Sequence, residues 1–282
     1  MKVATDIGGT FTDLVAIDEN GSLILEKSHT TPPNFDQGVM DVLEKSGIDM
    51  KSIEAFFHGT TTIINALTER KGAKTALITT KGFRDILELA RGNRPDLFNM
   101  VCEKPTPFVP RYLRREVTER ISYKGDILTP LSEEDICAAV EYLKKEQVEA
   151  IAVCYINSYA NEAHERKTVE KIKKLWPEVY VCPSVDITKE WREYERTSTA
   201  VLNAYVMPVA SSYLNRLGQR LTDAGVPENR YIMQSNGGTT TFDQAKLTPV
   251  NIVESGPVAG VFGASILGKL IGEPNIIAFD VG

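Results

Sequence analysis

The chain has 282 residues, enough for about two domains. Thirty-two Lys and Arg against 38 Asp and Glu leave a formal net charge of −6, which excludes a general nucleic-acid binder, whose mark is a concentrated basic surface. At 42% hydrophobic and 25% charged residues the composition is that of a globular chain with a full core, and no apolar run approaches the roughly 18 residues of a membrane helix.

Three short strands open the sequence. Residues 2–6 (KVATD) form a β run ending at a carboxylate, IGGT (7–10) is a glycine turn, and FTDLVAID (11–18) leads into the hairpin signal Glu19-Asn20-Gly21 before a third strand over 23–27. Phe35, Val39, Val42 and Leu43 recur at helical spacing over 35–46, with Gly47 as terminator. A strand over 53–57 and a helix from Thr60 to Gly72 follow. Residues 73–190 read as a separate α/β insert. It starts with a strand over 75–79 and a helix over 82–90, then a proline-rich stretch, 91–111, with no regular structure. Ser132 before Glu133-Glu134-Asp135 caps a helix running to Glu146, and AIAVCYI (150–156) is a strand covered on both faces. A helix over 164–175 and a strand over 179–185 close the insert. Connecting helices are expected over 191–224, interrupted by Pro208. A strand over 231–234, a small-residue helix over 256–271 and a final strand over 275–280 complete the pattern.

Cys102, Cys137, Cys154 and Cys182, like His29, His58 and His164, are scattered without zinc-ligand or disulfide spacing, so free thiols in a cytoplasmic protein are expected. The two apolar residues after Lys2 are too few for a signal peptide.

The sharpest local motif is DIGGTFTD (6–13). A strand delivers Asp6 to the mouth of a glycine turn, a device suited to phosphate oxygens and a hydrated magnesium ion, with the Thr10 hydroxyl as a further donor. It is neither a Walker loop nor a dinucleotide fingerprint, because there is no G-x-x-x-x-G-K-[ST] and a strand follows the turn. A plain Gly-Gly hairpin is the competing explanation. The device recurs as AFDVG (278–282), where a strand ends at Asp280 and a glycine, Gly282, follows.

Paired in this way, the motifs resemble the ATPase superfamily of actin, sugar kinases and heat-shock chaperones. More narrowly, the chain is similar to the ATPase-fold subunit of the hydantoinase/5-oxoprolinase family. That resemblance is carried by DIGGTFTD, HGTT (58–61), ERKGAKTALITTKGFRD (69–85), ARGNRPDLF (90–98), VPR (109–111), SYANEAHER (158–166), EYERTSTAVLNAYV (193–206), MQSNGG (233–238) and ESGPVAGVFGA (254–264). It implies an α/β fold, an actin-like (ribonuclease H-like) ATPase domain formed by residues 1–72 and 225–275, with the insert at 73–190 and the first strand of a second domain at 276–282.

By the same resemblance Asp6 and Asp280 would be the catalytic carboxylates, holding Mg2+ through water, while Gly8, Gly9, Thr10, Thr12 and Gly282 would line the ATP phosphates. Asp13 would join them or tie down the turn. Ser255 and Gly256 open a helix whose positive end would face phosphate or pack at the cleft. On the substrate side the candidates are His58, Thr60, Arg91 and Arg94, against a helix cap for the threonine and surface ion pairs for the arginines. The implied activity is ATP-dependent hydrolysis of a cyclic amide of the hydantoin or 5-oxoproline type, with a hydantoinase B-type partner subunit and neither nucleic acid nor membrane as partner. An ATP-dependent ketone carboxylase subunit and a non-catalytic ATPase switch are the alternatives; chaperones of the superfamily lack the ARGNRP and SYANEAHER blocks. Relatives continue past the second phosphate loop, so the sequence reads as an N-terminal piece whose half-site would bind ATP no better than about millimolar.

Overall fold

A computed structural model describes residues 1–92, 96, 98–101 and 103–279. Strands β1 (Lys2–Ile7), β2 (Phe11–Ile17) and β3 (Leu23–His29) are followed by α1 (Phe35–Lys45), β4 (Ala55–Thr60) and α2 (Thr62–Thr68). Next come β5 (Thr75–Thr80), α3 (Ile86–Leu89), β6 (Arg114–Val117), the short pair β7 (Arg120–Ile121) and β8 (Ile127–Thr129), and α4 (Glu133–Lys145). Strand β9 (Ala150–Cys154), α5 (Ala163–Leu175) and β10 (Tyr180–Pro183) lead to the long helix α6 (Glu193–Asp223). The chain continues through β11 (Arg230–Met233), β12 (Thr239–Thr241), α7 (Phe242–Leu247) and α8 (Ser255–Ile271).

Two units result. The first joins Met1–Glu69 to the chain from Val209 onward; the second is the continuous segment Arg70–Pro208. These divisions differ from the expected ones at 72/73 and 190/191.

In the first unit a six-stranded sheet runs in the order β12-β11-β4-β1-β2-β3. Strands β1, β2 and β3 form the expected antiparallel meander, while β4 joins β1, and β11 joins β4, in parallel. This is the strand order of an actin-like, ribonuclease H-like domain. Strict alternation gives the sheet two different faces. Val3, Thr5, Ile7, Thr12, Leu14, Ala16, Phe56 and Ile232 are buried on one of them. Helix α1 covers this side, with Val39, Val42 and Leu43 buried, and α6 reaches it at Tyr213, whose hydroxyl meets His58; Leu214, Leu217 and Leu221 of α6 are buried as well. Asp36, 1% exposed at the start of α1, receives Arg216 Nε at 3.2 Å and Arg220 Nε at 2.8 Å, which clamps α1 to α6. The other face carries Asp6, Phe11, Asp13 and Val15.

In the second unit a parallel sheet of order β10-β9-β5-β6 is buried throughout along β5 and β9, as expected of strands covered on both faces. The Ser132 hydroxyl accepts the Asp135 N–H at 3.2 Å and three acidic residues fill the first turn of α4, so the predicted cap is in place.

Several expectations are corrected. Pro208 does not interrupt α6, which is one helix of 31 residues. Ala200, Ala204 and Met207 before the proline and Ala210, Leu214 and Leu217 after it are buried, and that burial outweighs one lost backbone bond of about 3 kcal/mol. The helix after Thr60 ends at Thr68 because Arg70 turns to φ +53°, not because of Gly72, whose missing side chain instead makes room for the Tyr205 ring. The helix expected over 82–90 shrinks to α3, since Gly82 sits at φ +90°. The expected last strand is not formed by its described residues, 275–279, where Ile277 is 92% exposed; Asp280 lies outside the described residues.

In urea unfolding monitored by circular dichroism, Leu77→Ala in β5 is expected to cost about 2–5 kcal/mol, because Leu77 is fully buried. Ser132→Ala is expected to cost about 1 kcal/mol and Ser132→Asp close to nothing. Equal losses for Leu77→Ala and Ser132→Ala would contradict this account of the second unit.

Candidate functional site

The open face of the first sheet forms one wall of a cleft of about 1220 Å³, and the first turns of α8 form another. Asp6 stands at the end of β1 on this face, directly across from Asp13 on β2. Lys27 on β3 neutralises Asp13 at 3.1 Å and lies over the Phe11 ring, which stacks on His29. Asp6 and Asp13 are therefore neighbours in the sheet, and both line the cleft, with Lys27 beside Asp13.

The glycine turn between β1 and β2 is held from several sides. Gly8 N–H donates to Phe11 O at 2.9 Å, the Thr30 hydroxyl donates to Gly8 O at 2.9 Å, and the Thr61 hydroxyl donates to Ile7 O at 3.2 Å. Gly9 has nothing within 4 Å of where a Cβ would stand, so its backbone is open to an incoming group. Helix α8 is pinned beside the turn by Ser255, which donates to Thr60 O at 3.1 Å and accepts Thr60 N–H at 3.3 Å. Its Gly256 is so close to Asp6 that a Cβ there would be 3.7 Å from both carboxylate oxygens. A carboxylate beside a helix N-terminus is favourably oriented with respect to the helix dipole. Gly237, at φ +85°, lies under the Phe262 ring of the same helix.

Asp6, Gly8, Gly9, Thr10 and Asp13 all line this one cleft. Thr12 does not. Two residues from Thr10, it falls on the covered face, fully buried, with its hydroxyl 3.4 Å from Thr30 Oγ1. His58 borders the cleft from β4, but its ring is turned into the covered side, with Nδ1 2.9 Å from Thr5 Oγ1 and Nε2 2.6 Å from the Tyr213 hydroxyl. Thr60, also buried, accepts Thr62 N–H at 3.1 Å just ahead of α2, whose N-cap residue is Thr61. Neither His58 nor Thr60 offers its side chain to a substrate in the cleft. Arg91 belongs to the second unit and is ion-paired with Glu195. Arg94, Asp280 and Gly282 lie outside the described residues. Of the SYANEAHER block, Ser158 and Asn161 line a smaller cleft of about 420 Å³ in the second unit, whereas His164 and Glu165 are buried in its polar core.

Gly59 and Lys27 join the site although neither was singled out from sequence. Lys27 could have been found by strand parity with Asp13, whereas Gly59 meets Asp6 only through the long-range pairing of β1 with β4. Among the described residues there is no cluster of three or more His, Cys, Asp or Glu side chains able to hold a metal ion. A cleft-facing carboxylate beside an open glycine turn suits a hard, largely hydrated cation such as Mg2+, which takes most of its ligands from water and phosphate. Asp6 is the residue here that would hold it.

The hydantoinase/oxoprolinase N-terminal region family matches residues 2–176, and the hydantoinase/oxoprolinase family matches residues 196–282. An uncharacterised protein of Methanocaldococcus jannaschii is 40% identical, covering 100% of this chain and 42% of its own. Caprolactamase subunit alpha of Pseudomonas jessenii is 32% identical with the same coverages, and a crystal structure of ATP-dependent caprolactamase from that organism superposes with a TM-score of 0.84 at 31% identity, over 96% of this chain and 41% of that one. A nucleotide-free structure of acetone carboxylase, an enzyme of ATP-dependent acetone carboxylation, superposes with a TM-score of 0.86 at 26% identity and the same coverages. The chain thus spans less than half the length of these relatives, and it belongs to the hydantoinase/oxoprolinase family.

Burial lowers the His58 pKa from 6.5 to about 3, so the imidazole is neutral in the fold. The unfolded chain takes up a proton near pH 6.5. Stability from this group is therefore complete above that pH and is lost by up to about 1.4 kcal/mol per pH unit on acidification towards pH 3. Glu165, whose carboxyl is raised by burial, acts with the opposite sign but is common to wild type and variant. The melting-temperature gap between wild type and His58→Gln is expected to narrow steadily from pH 7 to pH 4. A constant gap would mean that His58 is not held neutral.

Proposed function

We propose that this chain is the phosphate-binding part of an ATP-dependent subunit that activates a cyclic amide for ring opening. The observation that carries this reading is the Asp6 carboxylate at the mouth of an open glycine turn, facing a cleft closed on its other side by the start of α8. The family and the ATP-dependent relatives support ATP as the co-substrate.

An unactivated amide carbonyl is a poor electrophile, and its nitrogen is a poor leaving group. Attack of the amide oxygen on the γ-phosphorus forms an O–P bond and breaks the bond from that phosphorus to the bridging oxygen, releasing ADP. Water then adds to the activated carbon, the ring C–N bond breaks as the nitrogen takes up a proton and leaves, and the acyl phosphate that remains is hydrolysed by a second water to the ring-opened carboxylic acid and phosphate. The chain's part is to bind and orient the triphosphate. The backbone N–H groups of Gly9 and Thr10 meet phosphate oxygens, while Gly8 N–H holds the turn closed on Phe11 O, and the N-terminus of α8 adds its positive end. Asp6 would hold the hydrated cation, and Lys27 pairs with the neighbouring Asp13. Magnesium, when bound, offsets phosphate charge and favours in-line displacement. A partner subunit, as the name of the caprolactamase relative suggests, would bring the amide.

The second reading is a ketone carboxylase subunit, in which ATP activates a ketone and bicarbonate; the acetone carboxylase superposition supports it. Phosphate release by the complete subunit with its partner separates the two. Release stimulated by lactams such as hydantoin, 5-oxoproline or caprolactam, with no need for bicarbonate, is the expected result. Release that requires a ketone and bicarbonate would favour the carboxylase. Asp6→Asn is expected to cut turnover about a hundredfold or more in either case while leaving the circular dichroism unchanged. Near-wild-type turnover would overturn the reading of this cleft as the ATP site.

A further inference from the structure

Glycine inside a strand carries a cost, since it gains no packing and loses more backbone freedom than any other residue. Gly59 sits in the interior of β4, opposite Asp6 in the parallel register of β1 and β4. A Cβ built on Gly59 would fall inside the van der Waals envelope of Asp6 Oδ1 and stand 3.2 Å from Asp6 Cγ. The space that any other residue would fill is the space in which the carboxylate lies. The surrounding glycines differ. A Cβ on Gly256 would be in ordinary contact with the carboxylate at 3.7 Å, one on Gly8 would crowd the Phe11 carbonyl oxygen at 3.2 Å, and one on Gly9 would meet nothing.

We propose that Gly59 is a positioning residue for Asp6: the missing side chain in β4 is the seat that holds the Asp6 carboxylate at the mouth of the glycine turn. The proposal rests on the assignment of Asp6 to the ATP site. Asp6 has a short side chain, so it cannot slide past an added methyl group. Relief comes from a turn about its Cα–Cβ bond into another staggered rotamer, which carries the carboxylate away from the cleft. Gly59→Ala therefore acts through Asp6, and because the clash is relieved by rotation the chain stays folded. The backbone at Gly59 is ordinary strand, outside the left-handed region, so alanine adds no strain of its own.

The test is a double-mutant cycle in the complete subunit with its partner, using Gly59→Ala, Asp6→Ala and the double variant. Three quantities are read: turnover with ATP, the Mg2+ concentration giving half-maximal turnover, and melting temperature without nucleotide. Gly59→Ala is expected to lose about a hundredfold in turnover and to need more Mg2+, while the double variant is no worse than Asp6→Ala alone. In melting, any loss caused by Gly59→Ala is expected to vanish in the Asp6→Ala background, where the colliding carboxylate is gone. A crystal structure of Gly59→Ala is expected to show Asp6 in a new rotamer. If Asp6→Ala abolishes turnover while Gly59→Ala retains it, or if Asp6 keeps its rotamer beside the added methyl group, the positioning role is overturned and the ATP site stands. If Asp6→Ala itself retains turnover, the ATP-site reading fails first and this inference with it.

Discussion

The alternation of β1 governs the cleft. Val3, Thr5 and Ile7 are buried, while Lys2, Ala4 and Asp6 face outward, and this parity is enforced by the apolar side of α1 packed against the sheet. A slip of one residue would drive the Asp6 carboxylate into the covered side and turn Ile7 out. The register with β2 and β4 then sets what Asp6 meets: Asp13 on one side, Gly59 on the other. The orientation of the carboxylate is thus a by-product of hydrophobic burial on the opposite face.

That covered face handles its polar groups in two ways. Near the sheet they are neutral: His58 is held without its proton between Thr5 and Tyr213, and burial likewise keeps the Tyr213 hydroxyl protonated. Farther out, at the seam of α1 and α6, Asp36 is met by two guanidinium groups that are themselves partly in solvent. Burying an isolated charge is expensive, and buried ion pairs need good geometry to offset their desolvation. The neutral trio spares the sheet that cost, and the Asp36 cluster, with solvent-reaching arginines, reduces it.

What was legible in the sequence followed local rules. The meander announced itself through alternation and Asn20-Gly21, α4 through Ser132 and its acidic first turn, and β9 through an unbroken apolar run. The carboxylate and glycine turn of the site were legible for the same reason, since strand, Asp6, Gly8 and Gly9 are contiguous. Strand β6 escaped because Arg114 and Arg115 mask it. Yet the Arg114 side chain is buried, donating through Nε and Nη2 to Val109 O and through Nη2 to Glu88. Thr12 was grouped with the phosphate-binding residues by motif, although its parity with Leu14 assigns it to the core. His58 and Gly59 lie next to each other in HGTT but on opposite faces of β4, and nothing local said which would be the functional one.

The insertion of one unit into the other has a consequence for how the chain is made. The second unit is a single stretch, Arg70–Pro208, while the first needs β11, beginning at Arg230, to pair beside Phe56 of β4. Translation at about 5–20 residues per second therefore leaves β1–β4 waiting for roughly ten seconds or more, with the β4 edge uncovered, while the insert emerges and completes its own sheet. Closing that gap is also a long-range step, which slows folding relative to local pairings. Asp6 and its glycine turn thus belong to the unit that closes only after the insert between its two segments has been made.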